Sequence, residues 1–273
     1  MPTGPDAYLH GHHDSVLRSH RWRTAENSAG YLLARLPLVA DILDVGCGPG
    51  TITVDLAQRA EPGRVVGVDA SADVLAEARR SAQTRGVTNV TFETGDGSRL
   101  AFPDNSFDGV HAHQLLQHLS DPVAALTEMS RVCRPGGIVA VRESDFGGMI
   151  WYPEHDDLTD WLSLYRRVAR AIGGEPDAGR RLLSWARAAG FGAIEASAGT
   201  WCYTSPEERI WLGRLWADRM TKSSFAERAL EFDLATKQDL KRLARAWLRW
   251  SESDDGWFLM PHGEILCSPP EAT

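Results

Sequence analysis

The stretch from Ile42 to Asp55, ILDVGCGPGTITVD, constrains this chain more than any other. Ile42, Leu43, Asp44 and Val45 lead into Gly46, Cys47, Gly48, Pro49 and Gly50, and a helix-like pattern follows. A buried strand, a glycine turn and a helix start occur there in that order. Residues without Cβ adopt positive φ and let backbone approach a ligand closely. The N–H groups that open the helix face the same crevice and can bind a carboxylate or phosphate. Such a turn is a nucleotide-cofactor loop. One glycine turn is a weak signal, so the residues that follow it decide its meaning.

Arg64 to Asp69, RVVGVD, is a short β-branched run between turn signals, hence a second buried strand. Asp69 stands at its tip, where a carboxylate can accept hydrogen bonds from two ribose hydroxyls. A helix begins at Ser71 or Ala72 and runs to Arg85, closed by Gly86. A third strand, Val90 to Glu93, leads into Thr94, Gly95, Asp96 and Gly97, with Asp96 able to accept from the exocyclic amine of a purine. A surface turn accounts for the same residues without a ligand. A fourth strand covers Phe107 to His111, and Ala112, His113 and Gln114 open from its end. Asp121 and Pro122 start a helix as cap and first residue. It ends at Arg134 to Gly137, and a fifth strand runs from Ile138 to Arg142. Strands alternating with helices in this way make a doubly wound parallel α/β sheet. Its ligand lies outside the carboxyl ends of the strands, where the glycine turn already sits.

Two cofactors compete for that crevice. The dinucleotide fingerprint GxGxxG sets its third glycine three positions after the second. Here Gly46, Gly48 and Gly50 are evenly spaced and Thr51 follows, which counts against a dinucleotide. The segments DVGCGPG, VVGVDAS, GDGSRLAFPDNSFD, HLSDP and RVCRPGGIVAV, in this order between Tyr31 and Ser144, resemble class I S-adenosylmethionine (SAM)-dependent methyltransferases. The resemblance is to the group that includes the ubiquinone and menaquinone biosynthesis C-methyltransferases. It implies a Rossmann-like, mostly parallel seven-stranded sheet with an antiparallel last strand. It also implies that Asp44, Gly46, Gly48 and Gly50 surround the methionyl part of SAM. Asp69 would then hold the ribose, Ala70 or Ser71 the adenine edge, and Asp96 with Gly97 the adenine amine. His113 and Gln114 would line the methionyl end, although Gln114 departs from the small or apolar residue common there.

The net charge of −8 argues against a surface built to neutralise phosphates, so nucleic acid is not an expected partner. Cys47, Cys133, Cys202 and Cys267 show no CxxC pair or metal-ligand spacing, which suits free buried thiols in a reducing compartment. The N-terminal residues have no apolar signal region and no 18-residue apolar run occurs, so a soluble cytoplasmic protein is expected, a monomer or homodimer. His10, His12 and His13 lack a carboxylate at helical spacing and a fourth ligand, so no metal is expected there and an arm closing over the active site is the preferred reading. A helix capped by Asp14 is expected to run to Leu36. Arg18, Arg21, Arg23, Glu26 and Asn27 form its polar face, lying over the crevice or in solvent.

Nine of the ten tryptophans lie beyond residue 150. Helices are expected over Leu158 to Ile172, Asp177 to Ala189 and most of Pro206 to Trp250, with strands near Ala193 to Ser197 and over Gly256 to Cys267. The resulting organisation is an N-terminal arm and helix over 1–36 and a SAM-binding core over 37–145. The rest, 146–273, supplies the last two strands and helical cap insertions at about 146–175 and 205–255. Tryptophans in that cap either wall an apolar acceptor pocket or simply pack its core. The expected reaction is in-line transfer of a methyl group to an O, N or C atom of a small apolar or aromatic molecule. His113 and His118 are candidate general bases, with His12 or His13 able to reach in from the arm. The rivals are other chemistry on a SAM-binding fold, and a non-catalytic partner-binding protein.

Overall fold

The computed structural model describes residues 22–270. Helix α1 (Ala25–Leu33) precedes β1 (Ile42–Val45), α2 (Thr51–Ala60), β2 (Val65–Asp69), α3 (Ala72–Thr84), β3 (Val90–Thr94) and β4 (Phe107–His113). Then come α4 (Pro122–Val132), β5 (Cys133–Ser144), β6 (Ile150–Tyr152), α5 (Asp156–Ala171), α6 (Leu182–Ala188) and β7 (Ala193–Tyr203). Helices α7 (Pro206–Lys222), α8 (Ser224–Glu231) and α9 (Lys237–Ser251) lead to β8 (Trp257–Ser268).

β3, β2, β1, β4 and β5 are all parallel, in that order, and β8 closes antiparallel against β5. β7 pairs along the other edge of β8, while β6 pairs with Trp257, Phe258 and Leu259 at its start. The sheet is therefore seven strands wide, with β6 as an eighth, three-residue piece. Its central strands are buried on both faces, which is why they read as apolar runs. One face packs Leu43, Val45, Val110, Val139, Val141 and Ile265 into a single cluster. The other carries Ile42 and Ala140 under α1, and turns polar toward the strand ends through Asp44, His111, Arg142 and Glu264. A third large cluster joins α5, α7, α8 and α9, with Trp161 and Trp247 fully buried at its centre.

Several elements differ from the sequence reading. Residues 14–21, including Asp14, Arg18 and Arg21, and the histidines at 10, 12 and 13, lie outside the described residues. Beyond them the helix starts only at Ala25. Thr24 accepts from the Asn27 N–H while the Asn27 side chain accepts from the Thr24 N–H, a reciprocal cap that fixes the start. Asp177 caps no helix, because its carboxylate accepts from Gly147 N–H, Arg166 and Arg170. A 3-10 turn over Ala178–Arg181 therefore precedes the shorter α6. β7 continues to Tyr203, held by β8 along its whole length. All four cysteines are free, but Cys202 is exposed rather than buried.

Among the described residues no helix is long and apolar enough to cross a membrane. No cluster of His, Cys, Asp and Glu there could hold a metal ion.

Candidate active site

The loop after β1 takes its shape from three left-handed residues, Gly46, Gly48 and Gly50, at φ of 72°, 54° and 75°. A Cβ on Gly46 would lie 2.9 Å from Leu115 Cδ1, and one on Gly50 2.7 Å from Ala78 Cβ. The protein's own packing thus demands these two glycines, in addition to any approach of a ligand. Helix α2 opens on Gly50 with no side-chain cap, which leaves the positive end of its dipole at the loop. Behind the loop, Asp44 is buried and turned into the protein. It accepts from Thr53 Oγ1 at 2.6 Å and faces His111 Nδ1 at 2.7 Å. Asp44 therefore ties the loop and α2 to β4, where the sequence reading had placed it against the methionyl group.

Asp69, at the end of β2, accepts from Gly48 N–H with one carboxylate oxygen and from Ser71 N–H with the other, each at 2.9 Å. Each oxygen retains lone-pair capacity for a hydroxyl donor. Ala70 is exposed beside it, and Ser71 caps α3. The turn after β3 is pinned here by the Gly95 N–H donating to the Asp69 carbonyl, and Gly97 lies over Val45 and Leu115. Asp96 is exposed, with one oxygen held by Ser98 and the other carrying no side-chain partner. The fold thus brings the glycine loop, Asp69 to Ser71 and Asp96 with Gly97 to one rim at the carboxyl ends of β1, β2 and β3. That donor and acceptor set, an acidic pair flanking a helix N-terminus, fits an adenosyl cofactor with an amino-acid tail.

After β4 the chain turns through Gln114, whose φ of 53° is unusual for a residue with a side chain. Its Oε1 accepts from Arg23 at 2.5 Å and its Nε2 lies 3.0 Å from His262 Nε2. The next turn, Leu116–His118, hangs on Glu143, whose carboxyl accepts from Leu115 N–H at 2.8 Å and Leu116 N–H at 2.6 Å. Burial pushes the Glu143 carboxyl up to about 8, against the pull of these N–H groups. His113 is buried beside Trp201 and His262, and neither of its ring nitrogens has a hydrogen-bond partner. Burial, then Arg23 and Arg142, hold it well below the ordinary histidine range. His118 is pushed down to about 3 by burial and by Arg23 and Arg219. Both rings are neutral near pH 7 and poor proton acceptors, which counts against the general-base role that their place after β4 suggested.

Next to this turn lies a cavity of about 50 Å³, several times the roughly 10–15 Å³ that one water needs. Trp22, Trp201, Trp211, Trp216, Tyr165 and Tyr203 supply rings to its wall, with Gln114 and His118 on the side of the glycine loop. Of the nine tryptophans beyond residue 150, Trp201, Trp211 and Trp216 line it, while Trp161, Trp247 and Trp250 are core.

Residues 42–137 match the family described as a methyltransferase domain. An uncharacterized methyltransferase of Schizosaccharomyces pombe is 42% identical over 282 residues, covering 99% of each chain. The chain belongs to the SAM-dependent methyltransferases. A probable methyltransferase of Aspergillus luteorubrus is 32% identical, covering 95% of this methyltransferase and 96% of its own length. The likeness to the ubiquinone and menaquinone group holds over the cofactor half. The C-methyltransferase UbiE of Bdellovibrio bacteriovorus is 39% identical over 49% of this chain and 54% of its own. The YcgJ protein of Bacillus subtilis shares the fold, with a TM-score of 0.59 at 19% identity over 89% of this chain and 98% of that one.

The sequence reading missed Glu143, His262, Tyr165 and Arg219, each brought to the site from a distant element. Arg23 had been read only as one of five polar residues on a helix; it lies just ahead of α1 and reaches Gln114. The departure at Gln114 from the family pattern was the one available signal, since a polar residue there requires partners.

Proposed function

We propose that this methyltransferase acts by in-line displacement on an O, N or C atom of a small apolar or aromatic molecule held in the ring-walled cavity. The position of the cavity carries this reading. Gln114 belongs to its wall, and the adjoining Leu115 packs on Gly46 in the cofactor loop. SAM supplies, when bound, a methyl group already activated on a sulfonium centre. Asp69 would hold its ribose, Ala70 or Ser71 the adenine edge, and Asp96 with Gly97 the adenine amine. Gly46, Gly48, Gly50 and the start of α2 would take the methionyl end, with Gln114 and His113 beside it. Asp44 acts one step removed, by fixing the loop to β4. The rings exclude water from the reacting atoms and align the acceptor, which for an activated methyl group is most of what the protein must supply. Domain roles follow the same reading: 37–145 as cofactor core, and the helices after residue 146 as the cap that selects the acceptor.

The test is a calorimetric titration with SAM, followed by incubation with a panel of aromatic and apolar acceptors while S-adenosylhomocysteine release is measured. The proposal expects saturable binding and acceptor-dependent release. Failure to bind SAM would overturn the site assignment, and binding without release for any acceptor would point to other chemistry.

A further inference from the structure

The cavity wall is opposite in sign to the molecule as a whole, and this bears on the acceptor class, provided the cavity is the acceptor site as proposed above. The chain carries 37 acidic against 29 basic side chains, yet Arg23 and Arg219 both line the cavity and no Asp or Glu does. Each guanidinium lies over a wall ring. Arg23 Cζ is 5.9 Å from the centre of Trp201, and Arg219 Cζ is 4.8 Å from that of Trp216. Stacking fixes the guanidinium plane and directs its N–H edge sideways, the geometry in which it pairs with a carboxylate. The hydrogen bond from Arg23 to Gln114 sets that cation at the end of the cavity nearest the glycine loop. Arg219 enters from α7 and is buried. The other polar wall groups, Gln114, Gln117 and His118, carry no negative charge. Two cations in a wall of low dielectric raise the local affinity for an anion far above its value at an exposed surface.

We infer that the acceptor carries a carboxylate recognised by Arg23 and Arg219, on a planar body that stacks among the wall tryptophans. A phenol of ordinary pKa is largely neutral at pH 7, whereas a carboxylate is fully charged and matches the guanidinium fork.

Benzoate and its uncharged counterpart benzamide test this on the full chain saturated with S-adenosylhomocysteine, by calorimetric titration at pH 7. Benzoate is expected to bind roughly ten- to hundredfold more tightly, the range for hydrogen bonds to a charged partner. Arg219→Gln is expected to bring that ratio close to one while S-adenosylhomocysteine affinity stays as it was, and Arg219→Lys to restore part of it. Should Arg219→Gln fail to fold, Arg23→Gln, ahead of the first helix, gives the same comparison. Equal binding of the two probes, no benzoate binding by protein that binds S-adenosylhomocysteine, or an unchanged ratio in the variants would each overturn the inference. The readout is binding, so it separates from the transfer reading. Carboxylate preference without methyl transfer to any acceptor would sink the latter alone, and transfer to uncharged acceptors with no carboxylate preference would sink the former alone.

Discussion

Two aspartates that look alike in the sequence do different work. Asp44 sits in the protein, between Thr53 Oγ1 and His111 Nδ1, whereas Asp69 stands at the rim with both oxygens on loop N–H groups. Asp69→Ala is expected to weaken SAM binding by roughly 1–3 kcal/mol, the cost of leaving buried hydrogen-bond partners unmet. Unchanged affinity by calorimetry would refute the ribose assignment. Asp44→Ala orphans two buried partners instead, so its expected effect is on stability, about 1–3 kcal/mol for each. A urea midpoint that falls markedly while SAM affinity of the folded protein changes less than in Asp69→Ala is the predicted pattern. A variant that keeps its midpoint but loses SAM would return Asp44 to the cofactor.

At the scale of elements, the turn after β4 depends on Glu143 from the end of β5. Its carboxyl, lifted to about 8 chiefly by burial, binds a proton more tightly in the folded than in the unfolded chain, where a glutamate titrates near 4.5. The folded state therefore holds the extra proton between those values, and stability falls as pH rises from about 4.5 to about 8, by a few kcal/mol in all. Glu143→Gln, which cannot ionise, is expected to flatten that part of the stability curve, measured as urea midpoints from pH 5 to pH 8.5. An equally steep fall in the variant would show that other groups cause it. Nothing local marks Glu143, since it is one polar residue in the run RES at the end of β5. By contrast β1 and β2 were legible because strands buried on both faces must be continuously apolar, and the glycine loop because left-handed turns demand glycine. The rim residues follow from those elements alone: Asp69 and Asp96 end consecutive parallel strands. The start of α1 was not legible, because the reciprocal Thr24–Asn27 cap lies within residues that also suit a helix's polar face. Nor was β6, three residues that become a strand only through pairing with β8. The tryptophan-rich half could be recognised as apolar, but which rings wall the cavity depends on how α5, α7 and β7 meet, and spacing within one element does not contain that.

For the whole molecule, β8 is the piece that joins the apolar clusters. Phe258, near its start, belongs to the cluster of Trp161, Trp216 and Trp247, while Ile265 and Cys267, toward its end, belong to the cluster under β1, β4 and β5. Along the way β8 pairs with β5 on one edge and β7 on the other. The helices beyond residue 146 cannot unfold without stripping the strand that closes the sheet, so the two halves should melt together rather than as separate domains. Trp161 is the most informative position for this. It is fully buried and packs edge-on against Trp216 at 4.5 Å and Trp247 at 4.7 Å, at the centre of the helical cluster and away from the glycine loop. Trp161→Ala is expected to cost about 3–5 kcal/mol. The loss should lower the near-ultraviolet tryptophan transition and the loss of S-adenosylhomocysteine binding by the same amount, in one calorimetric peak. Trp211→Ala, at the cavity wall and only partly buried, should cost less stability while weakening acceptor binding more. Two resolved transitions in Trp161→Ala, with cofactor binding surviving the first, would mean that the cofactor half stands alone and that β8 does not couple the clusters.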